Sequence, residues 1–178
     1  MKNLWRNLEN LKGDTNNPID LVKEQSVFLQ EGTEDMFYIN IDEINRIPLA
    51  LSKVLLSTNI ESDFSYKMDL CSDGLLDYAF NIFNIYYGIT FYPLLVSVPN
   101  EIGLEIIEME IFNCVNNSSA TITYFVINSE EEFEQILEYI FNSDKVRTVL
   151  RNMKSIIGND VLEEENSFQR LSYQGKMM

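Results

Sequence analysis

The chain has 178 residues, of which 46% are hydrophobic and 12% aromatic, and its formal net charge is −15. This composition predicts a folded chain, because disordered segments are poor in apolar residues. The strong negative charge argues against direct binding to nucleic acid or to an anionic membrane, since both need clustered Lys and Arg. We find neither a secretory signal pattern nor a run near the roughly 20 apolar residues of a membrane-spanning helix, so a cytoplasmic location is predicted.

The negative charge is concentrated in the middle of the sequence. Residues 68–144 contain thirteen acids and not one Lys or Arg. The segments before, within and after this stretch carry −4, −13 and +2. Such self-repulsion disfavours the compact state and adds no packing. The pattern therefore indicates a basic protein as the binding partner.

The first predicted elements are two helices. Four apolar residues near the start recur at the spacing of one helix side: Leu4, Trp5, Leu8 and Leu11. This helix is expected to end near Gly13. Asn17-Pro18 predicts the start of a second helix, because Asn caps free amides and Pro fits the first turn. That helix is expected to run to about Gln30.

Four further elements follow in the next sixty residues. Met36–Ile41 is rich in β-formers and predicts a strand. A helix is expected to begin near Pro48, and the alternating run Phe64–Leu70 predicts another strand. Ser72-Asp73-Gly74 then predicts a capped helix start. An apolar stripe at helical spacing continues this helix to Gly88.

Three strands are predicted next. Thr90 to Val98 has the apolar composition of a strand buried on both faces, and Pro99-Asn100-Glu101 is predicted as a turn. Leu104–Val115 and Ala120–Asn128 are β-rich runs joined by a polar segment, the pattern of a hairpin. On the first run, Ile107, Met109 and Ile111 are expected on one face, with the intervening glutamates on the other, solvated face.

Two helices end the predicted order. Ser129 and Glu132 have the spacing of a capping box, and the helix that follows is expected to expose Glu131, Glu134 and Glu138 on one side. Another helix is expected from Asp144 to Gly158, and residues 159–178 are expected to form a flexible tail. We therefore predict a single α+β domain over residues 1–158, with helices packed on a mostly antiparallel sheet.

Few residues offer chemistry. The chain has no His, which removes the commonest general base and the imidazole metal ligand. Cys71 and Cys114 have neither metal-ligand spacing nor a disulfide framework. Asp73 and Asp77 would share one helix side, where a carboxylate pair could act as acid and base or hold Mg²⁺. A cap and a solvated helix side explain them better, so no catalytic residue, metal or cofactor is predicted.

The acidic surface is the remaining feature, and it predicts a protein that neutralises a basic partner. The most economical version is a bacterial immunity protein that occludes a toxin domain, with a nuclease as the expected toxin. Complementary charge would speed association, and aromatic anchors would supply binding energy. The predicted contact residues are acids together with two tyrosines: Asp73, Asp77, Glu105, Glu108, Glu110, Glu131, Glu134, Glu138, Tyr86 and Tyr124.

Three alternatives stay open. A phage-type mimic of DNA that inhibits a nucleic-acid-binding defence enzyme would use the same acidic surface. A secretion chaperone or adaptor would instead bind its effector through an exposed apolar groove. A carboxylate-and-metal enzyme is the third. The sequence does not decide the oligomeric state.

Overall fold

The computed structural model describes residues 16–115 and 121–158. The described part contains five helices and six strands. In chain order these are α1 Pro18–Gly32, β1 Tyr38–Glu43, α2 Leu49–Thr58, β2 Phe64–Cys71, β3 Ala79–Tyr87, β4 Leu94–Pro99, α3 Asn100–Ile107, β5 Asn113–Val115, β6 Ile122–Ile127, α4 Glu130–Asn142 and α5 144–158.

The six strands form one antiparallel sheet. Their order is β1-β2-β3-β4-β6-β5, and every neighbouring pair is antiparallel. The predicted α+β class is confirmed, and so is the pairing of the last two strands, in which Cys114 faces Phe125. Strand β6 lies between β4 and β5, and the connection from β4 to β5 contains α3, which packs on β4 and β6.

The two faces of the sheet are covered differently. The larger core lies between one face and α1, α3, α4 and α5, and it contains Phe83, Phe125 and Phe133, each 0% exposed. Fully burying one such side chain stabilises the fold by about 1.5–3 kcal/mol. The other face holds a smaller core under α2, in which Leu51 packs near Leu95. Four of the five helices in the described part therefore share one side of the molecule.

The helix starts follow the local sequence. Asn17 caps α1, because its Oδ1 accepts a hydrogen bond from the Ile19 amide at 3.3 Å. Ser129 caps α4 in the same way, accepting from the Glu132 amide at 3.2 Å. The carboxylate of Glu132 accepts from the Asn128 amide at 2.8 Å. Only the serine half of the predicted capping box is therefore present.

The predicted helix over residues 72–88 is wrong. The chain turns at residues 72–78 and then forms β3. Phe83, Ile85 and Tyr87 face the large core at every second position, and Asn84 on the opposite face donates to Ser97 Oγ at 3.1 Å. Helices cover parts of both faces of the sheet at β3, so most positions of this strand are apolar or aromatic. A sequence with so many apolar positions also matches the spacing of an apolar helix side, and this match led to the wrong prediction.

The predicted turn at Pro99 and the long strand after it are also wrong. Residues 100–107 form α3, and only Asn113–Val115 is a strand. Ile102 and Ile106, one turn apart, are buried against the sheet. Gly103 lies so close to β6 that an added Cβ would sit 2.3 Å from Thr123 Oγ1. This close packing of a helix on a strand is a tertiary contact that alternation in sequence does not reveal.

Three predictions fall outside the described residues. They are the first helix ending near Gly13, the hairpin connection at 116–119 and the tail at 159–178. Among the helices that the structure describes, none is long and apolar enough to cross a membrane.

Candidate functional site

A groove separates α1 from α4 on the helical side of the molecule. The two helices start side by side, because Asn16, just before α1, donates to both carboxylate oxygens of Glu130, the first residue of α4, at 3.0 and 2.7 Å. The groove has a volume of about 320 Å³. Its lining comes from both helices: Leu21, Glu24, Gln25, Glu134, Leu137, Glu138, Phe141 and Asn142. We call this the α1–α4 groove.

The floor of the α1–α4 groove is apolar. Leu137 is 3% exposed and belongs to the large core, while Leu21 and Phe141 pack against that core and stay partly exposed. The floor exists because α4 buries Phe133 and Ile140 against the sheet, which brings Leu137 and Phe141 toward α1. A partner lying in the groove would therefore bury apolar surface.

The rim is acidic. Glu24, Glu134 and Glu138 are exposed, and within residues 16–115 and 121–158 none of them forms an ion pair or a side-chain hydrogen bond. Glu134 and Glu138 are four residues apart on α4, a spacing at which like charges destabilise a helix by about 0.2–0.5 kcal/mol. The nearby Lys23 is paired with Asp20 at 2.8 Å. No Lys or Arg of the described ranges therefore neutralises the rim carboxylates.

The electrostatics of the first turn of α4 point the same way. Hydrogen bonds from its own backbone amide and from Ser129 lower the pKa of Glu131. The hydroxyl of Tyr92 is buried and has no hydrogen-bond partner among the residues that the structure describes. Burial raises the pKa of Tyr92, and the negative charges of Glu130 and Glu134 raise it further. The acids at the start of α4 therefore lie close enough to Tyr92 to act on its hydroxyl.

An apolar pocket continues the groove toward α5. It has a volume of about 220 Å³, and Gln25 and Phe141 line both spaces. Phe28, Leu29 and Leu150 close its sides, and Phe28 is 55% exposed. We call this the α1–α5 pocket. The two spaces are adjacent: carboxylates line the α1–α4 groove, and apolar side chains surround most of the α1–α5 pocket.

The predicted acids on α4 lie where the sequence placed them. Glu131, Glu134 and Glu138 are exposed on the outer side of the helix. Their opposite side is buried at Phe133 and Ile140. These three are the predicted contact residues that border or adjoin the α1–α4 groove.

Glu105 has a different position from the predicted one. It lies on α3, and its carboxylate accepts hydrogen bonds from the Asp144 and Lys145 amides at 2.8 and 3.3 Å, which caps α5. Lys145 also forms an ion pair with Glu101 at 2.6 Å. At this corner, Lys145, the residue directly after the acidic stretch 68–144, folds back and neutralises one of its acids.

The other predicted acids are spread over separate loops. Glu108 and Glu110 are exposed in the turn after α3, so the strand face predicted for them does not exist. Met109, beside them, is 51% exposed. Asp73 and Asp77 are exposed in the turn between β2 and β3 and do not share a helix side. The predicted acids therefore lie on several elements and not on one.

The two predicted aromatic anchors are buried. Tyr86 is 4% exposed and Tyr124 is 5% exposed, and both pack in the small core under α2. Burial raises the pKa of each phenol. In this conformation neither ring is available to a partner. Among aromatic residues, Phe141 instead lines the α1–α4 groove, and Phe28 lines the adjacent α1–α5 pocket.

The contribution of α1 to the site was not predicted from the sequence. Glu24, Leu21 and Phe28 belong to a helix that was recognised but not considered as part of a site. The sequence did contain a signal, the width of the apolar face of α1. This helix buries Ile19 and Val22, yet it carries further apolar residues beside that buried side. An apolar face wider than one packing contact indicates a second neighbour.

In the part of the chain that the structure describes, no group of three or more Cys, Asp or Glu residues is arranged to hold a metal ion. Comparison of the chain with protein-family models, curated proteins and solved structures finds no match in any of the three.

Proposed function

We propose that this protein neutralises a basic protein partner by receiving a cationic, amphipathic segment of it in the α1–α4 groove. The observation that carries the proposal is a set of three carboxylates, Glu24, Glu134 and Glu138, which have no ion-pair partner within residues 16–115 and 121–158 and lie above the apolar floor. Neither feature would suffice alone. Exposed charge gives speed and orientation of binding, whereas burial of apolar surface gives most of the binding energy.

An immunity protein that occludes a bacterial toxin domain is the form we favour. A nuclease toxin binds phosphates through Lys and Arg, so its active-site cleft presents the charge that the groove rim lacks. The mechanism is occlusion: apolar contacts with the partly exposed Leu21 and Phe141 hold the toxin, and the rim carboxylates pair with its cations. No catalytic step is needed, and the chain acts as a cytoplasmic binding protein without a cofactor.

Growth of cells that express a toxin provides the test. The candidate toxin is the product of the gene immediately upstream, expressed with and without this chain. We expect wild type to restore growth and Glu134→Lys/Glu138→Lys to fail, with about tenfold weaker binding, because the reversals remove roughly 1–2 kcal/mol of attraction. Glu108→Lys/Glu110→Lys has the same change in net charge and should still protect.

Equal protection by the two double variants would contradict the groove as the site. Protection lost equally in both would mean that net charge, and not this surface, is recognised. A DNA mimic would differ in its target: it would inhibit a DNA-binding enzyme in competition with DNA and leave a toxin active.

A secretion chaperone is the second candidate, and the α1–α5 pocket favours it. This pocket is apolar, and Phe28 at its edge is 55% exposed. An effector bound there would stay bound at high salt, because burial of apolar surface is not screened. Phe28→Ser would then abolish binding, whereas the charge reversals would have little effect.

A further inference from the structure

Half of the cations in the described part of the chain lie on α5. Residues 16–115 and 121–158 contain eight Lys and Arg, and four of these lie in α5: Lys145, Arg147, Arg151 and Lys154. Residues 145–158 contain no acid. Lys145 pairs with Glu101, but the other three form no ion pair with any acid of the described ranges. One helix therefore presents an excess of positive charge on a chain whose net charge is −15.

A hydrogen bond places this charge at one end of the α1–α4 groove. Arg147 Nη2 donates to Asn142 Oδ1 at 2.8 Å, and Asn142 is both the last residue of α4 and part of the groove lining. This contact has a structural role, because a cation is favourable near the C-terminal end of a helix. Arg151 lies one turn further along α5, is exposed, and has no hydrogen bond or ion pair within the ranges that the structure describes. The end of α4 accounts for Arg147 but not for Arg151.

The same two arginines border the α1–α5 pocket. Val146 and Leu150 line this pocket, and each is followed directly by one of the arginines. The pocket and the α1–α4 groove share lining residues, so the charge of this surface changes sign along its length. Carboxylates border one end and guanidinium groups the other. We call Arg147 and Arg151 the basic end.

We propose that the basic end binds carboxylates of the same partner segment whose cations lie against the groove rim. This inference rests on the proposed function and adds a second kind of charge to the partner. From Glu134 to Asn142, which contacts the basic end, α4 advances about 12 Å, because a helix rises about 1.5 Å per residue. A helical partner segment covers that distance in about eight residues. The segment therefore carries Lys or Arg at one end and Asp or Glu about two turns away.

Two opposite charges on the surface define the direction in which the segment binds. A segment with cations alone is attracted to the acidic rim in either direction. A segment with both charges fits in one direction only, because reversal places like charges opposite each other, which is costly. The basic end also discriminates against segments that are basic throughout, since it repels their additional cations.

Two synthetic helical peptides test the proposal with the full chain. Both have one leucine side and two lysines at one end, and the other end carries two glutamates in the first peptide and two lysines in the second. At physiological salt, charges separated by more than about 8 Å are largely screened, so local contacts and not net charge decide the affinity. We expect wild type to bind the lysine–glutamate peptide about tenfold more tightly in titration calorimetry, although it is the less cationic peptide.

Two double variants test whether this preference depends on the basic end. Arg147→Glu/Arg151→Glu should reverse the preference, because it repels the glutamates and attracts the additional lysines. A difference in helicity between the peptides would not reverse. Arg46→Glu/Lys53→Glu is the matched control, with the same change in net charge at two exposed residues near α2, which covers the other face of the sheet. This control should keep the wild-type preference.

Two results would overturn the proposal alone. They are tighter binding of the all-lysine peptide by wild type, and the same preference in wild type and both double variants. If Glu134→Lys/Glu138→Lys still weakens binding in these cases, the proposed function stands without the basic end. Failure of wild type to bind either peptide would overturn the proposed function as well.

Discussion

Two acidic regions of this molecule carry similar residues and use them differently. At the corner between α3 and α5, Glu101 pairs with Lys145 and Glu105 caps the helix amides, so the charges are neutralised within the fold. In the α1–α4 groove, Glu24, Glu134 and Glu138 have no such partners in the described structure. A count of acids in the sequence treats the two regions alike. The fold separates structural carboxylates from available ones, and only the second kind can serve a partner.

The largest expected effect is on the free energy of unfolding, and it differs between the buried and the exposed side of α4. Phe133 is 0% exposed, and Phe133→Ala should lower the free energy of unfolding by about 3–5 kcal/mol, because it leaves a cavity under the helix. Glu134→Ala, one residue later, should change it by no more than about 0.5 kcal/mol. Urea unfolding at constant m-value measures both. A large cost for Glu134→Ala would mean that this acid is structural after all.

The next effect lies at the α3–α5 corner. Glu105→Ala removes the acceptor for the Asp144 and Lys145 amides and should cost about 1 kcal/mol, as loss of a helix cap does. Glu108→Ala, on the same connection but without such a partner, is the control and should be nearly neutral. Thermal unfolding of the two variants side by side gives the difference. If the two variants unfold at the same temperature, the cap does not stabilise α5, and Glu105 is not a structural carboxylate.

A smaller effect on stability, a gain and not a loss, is expected for a substitution in the α1–α4 groove. Glu138→Lys should raise stability by a few tenths of a kcal/mol, because it replaces repulsion by Glu134 with an attractive pair at i,i+4 spacing. The same substitution should weaken binding of a basic partner. Unfolding and binding measurements on one preparation test this trade-off. Loss of stability in Glu138→Lys would show that the carboxylate has a role within the fold.

The smallest expected effect is a change in titration. The pKa of Glu131 lies below its ordinary value, so its charged form favours the fold above the unfolded pKa, and this contribution is lost as pH falls through the folded pKa. Ser129→Ala removes one of the two causes and should move the pKa upward. Carboxyl NMR titration gives the value in each protein. An unchanged pKa in Ser129→Ala would assign the shift to the backbone amide alone.

The predictable parts of the fold were those with local causes. Asn17-Pro18, Ser129 and the alternation of Phe64–Leu70 act through neighbouring residues, and the structure has the expected helix or strand at each. The failures at residues 72–88 and 104–112 depend on tertiary contacts. Strand β3 is covered on both faces of the sheet. Residue 103 must be a glycine because Thr123 leaves no room there for a Cβ atom. Neither contact is encoded in local spacing.

Only the α4 part of the candidate site could be predicted from the sequence, because only that part has local causes. The capping pattern and the periodicity of α4 were enough to place Glu134 and Glu138 on its exposed side. Their position opposite Glu24 depends on how α1 packs beside α4. This packing brings together residues that are more than a hundred positions apart in the sequence. The burial of Tyr86 and Tyr124 depends equally on α2, which packs on them from a distant part of the chain.

The central claim is that the groove carboxylates, and not the net charge, bind a cationic partner. Titration calorimetry tests it with a synthetic helical peptide that has one leucine side and one lysine side. Two triple variants gain the same net charge: Glu24→Gln/Glu134→Gln/Glu138→Gln and Asp73→Gln/Asp77→Gln/Glu108→Gln. The account predicts about tenfold weaker binding for the first, from roughly 0.5 kcal/mol per lost pair, and no change for the second. Equal weakening in both would contradict it.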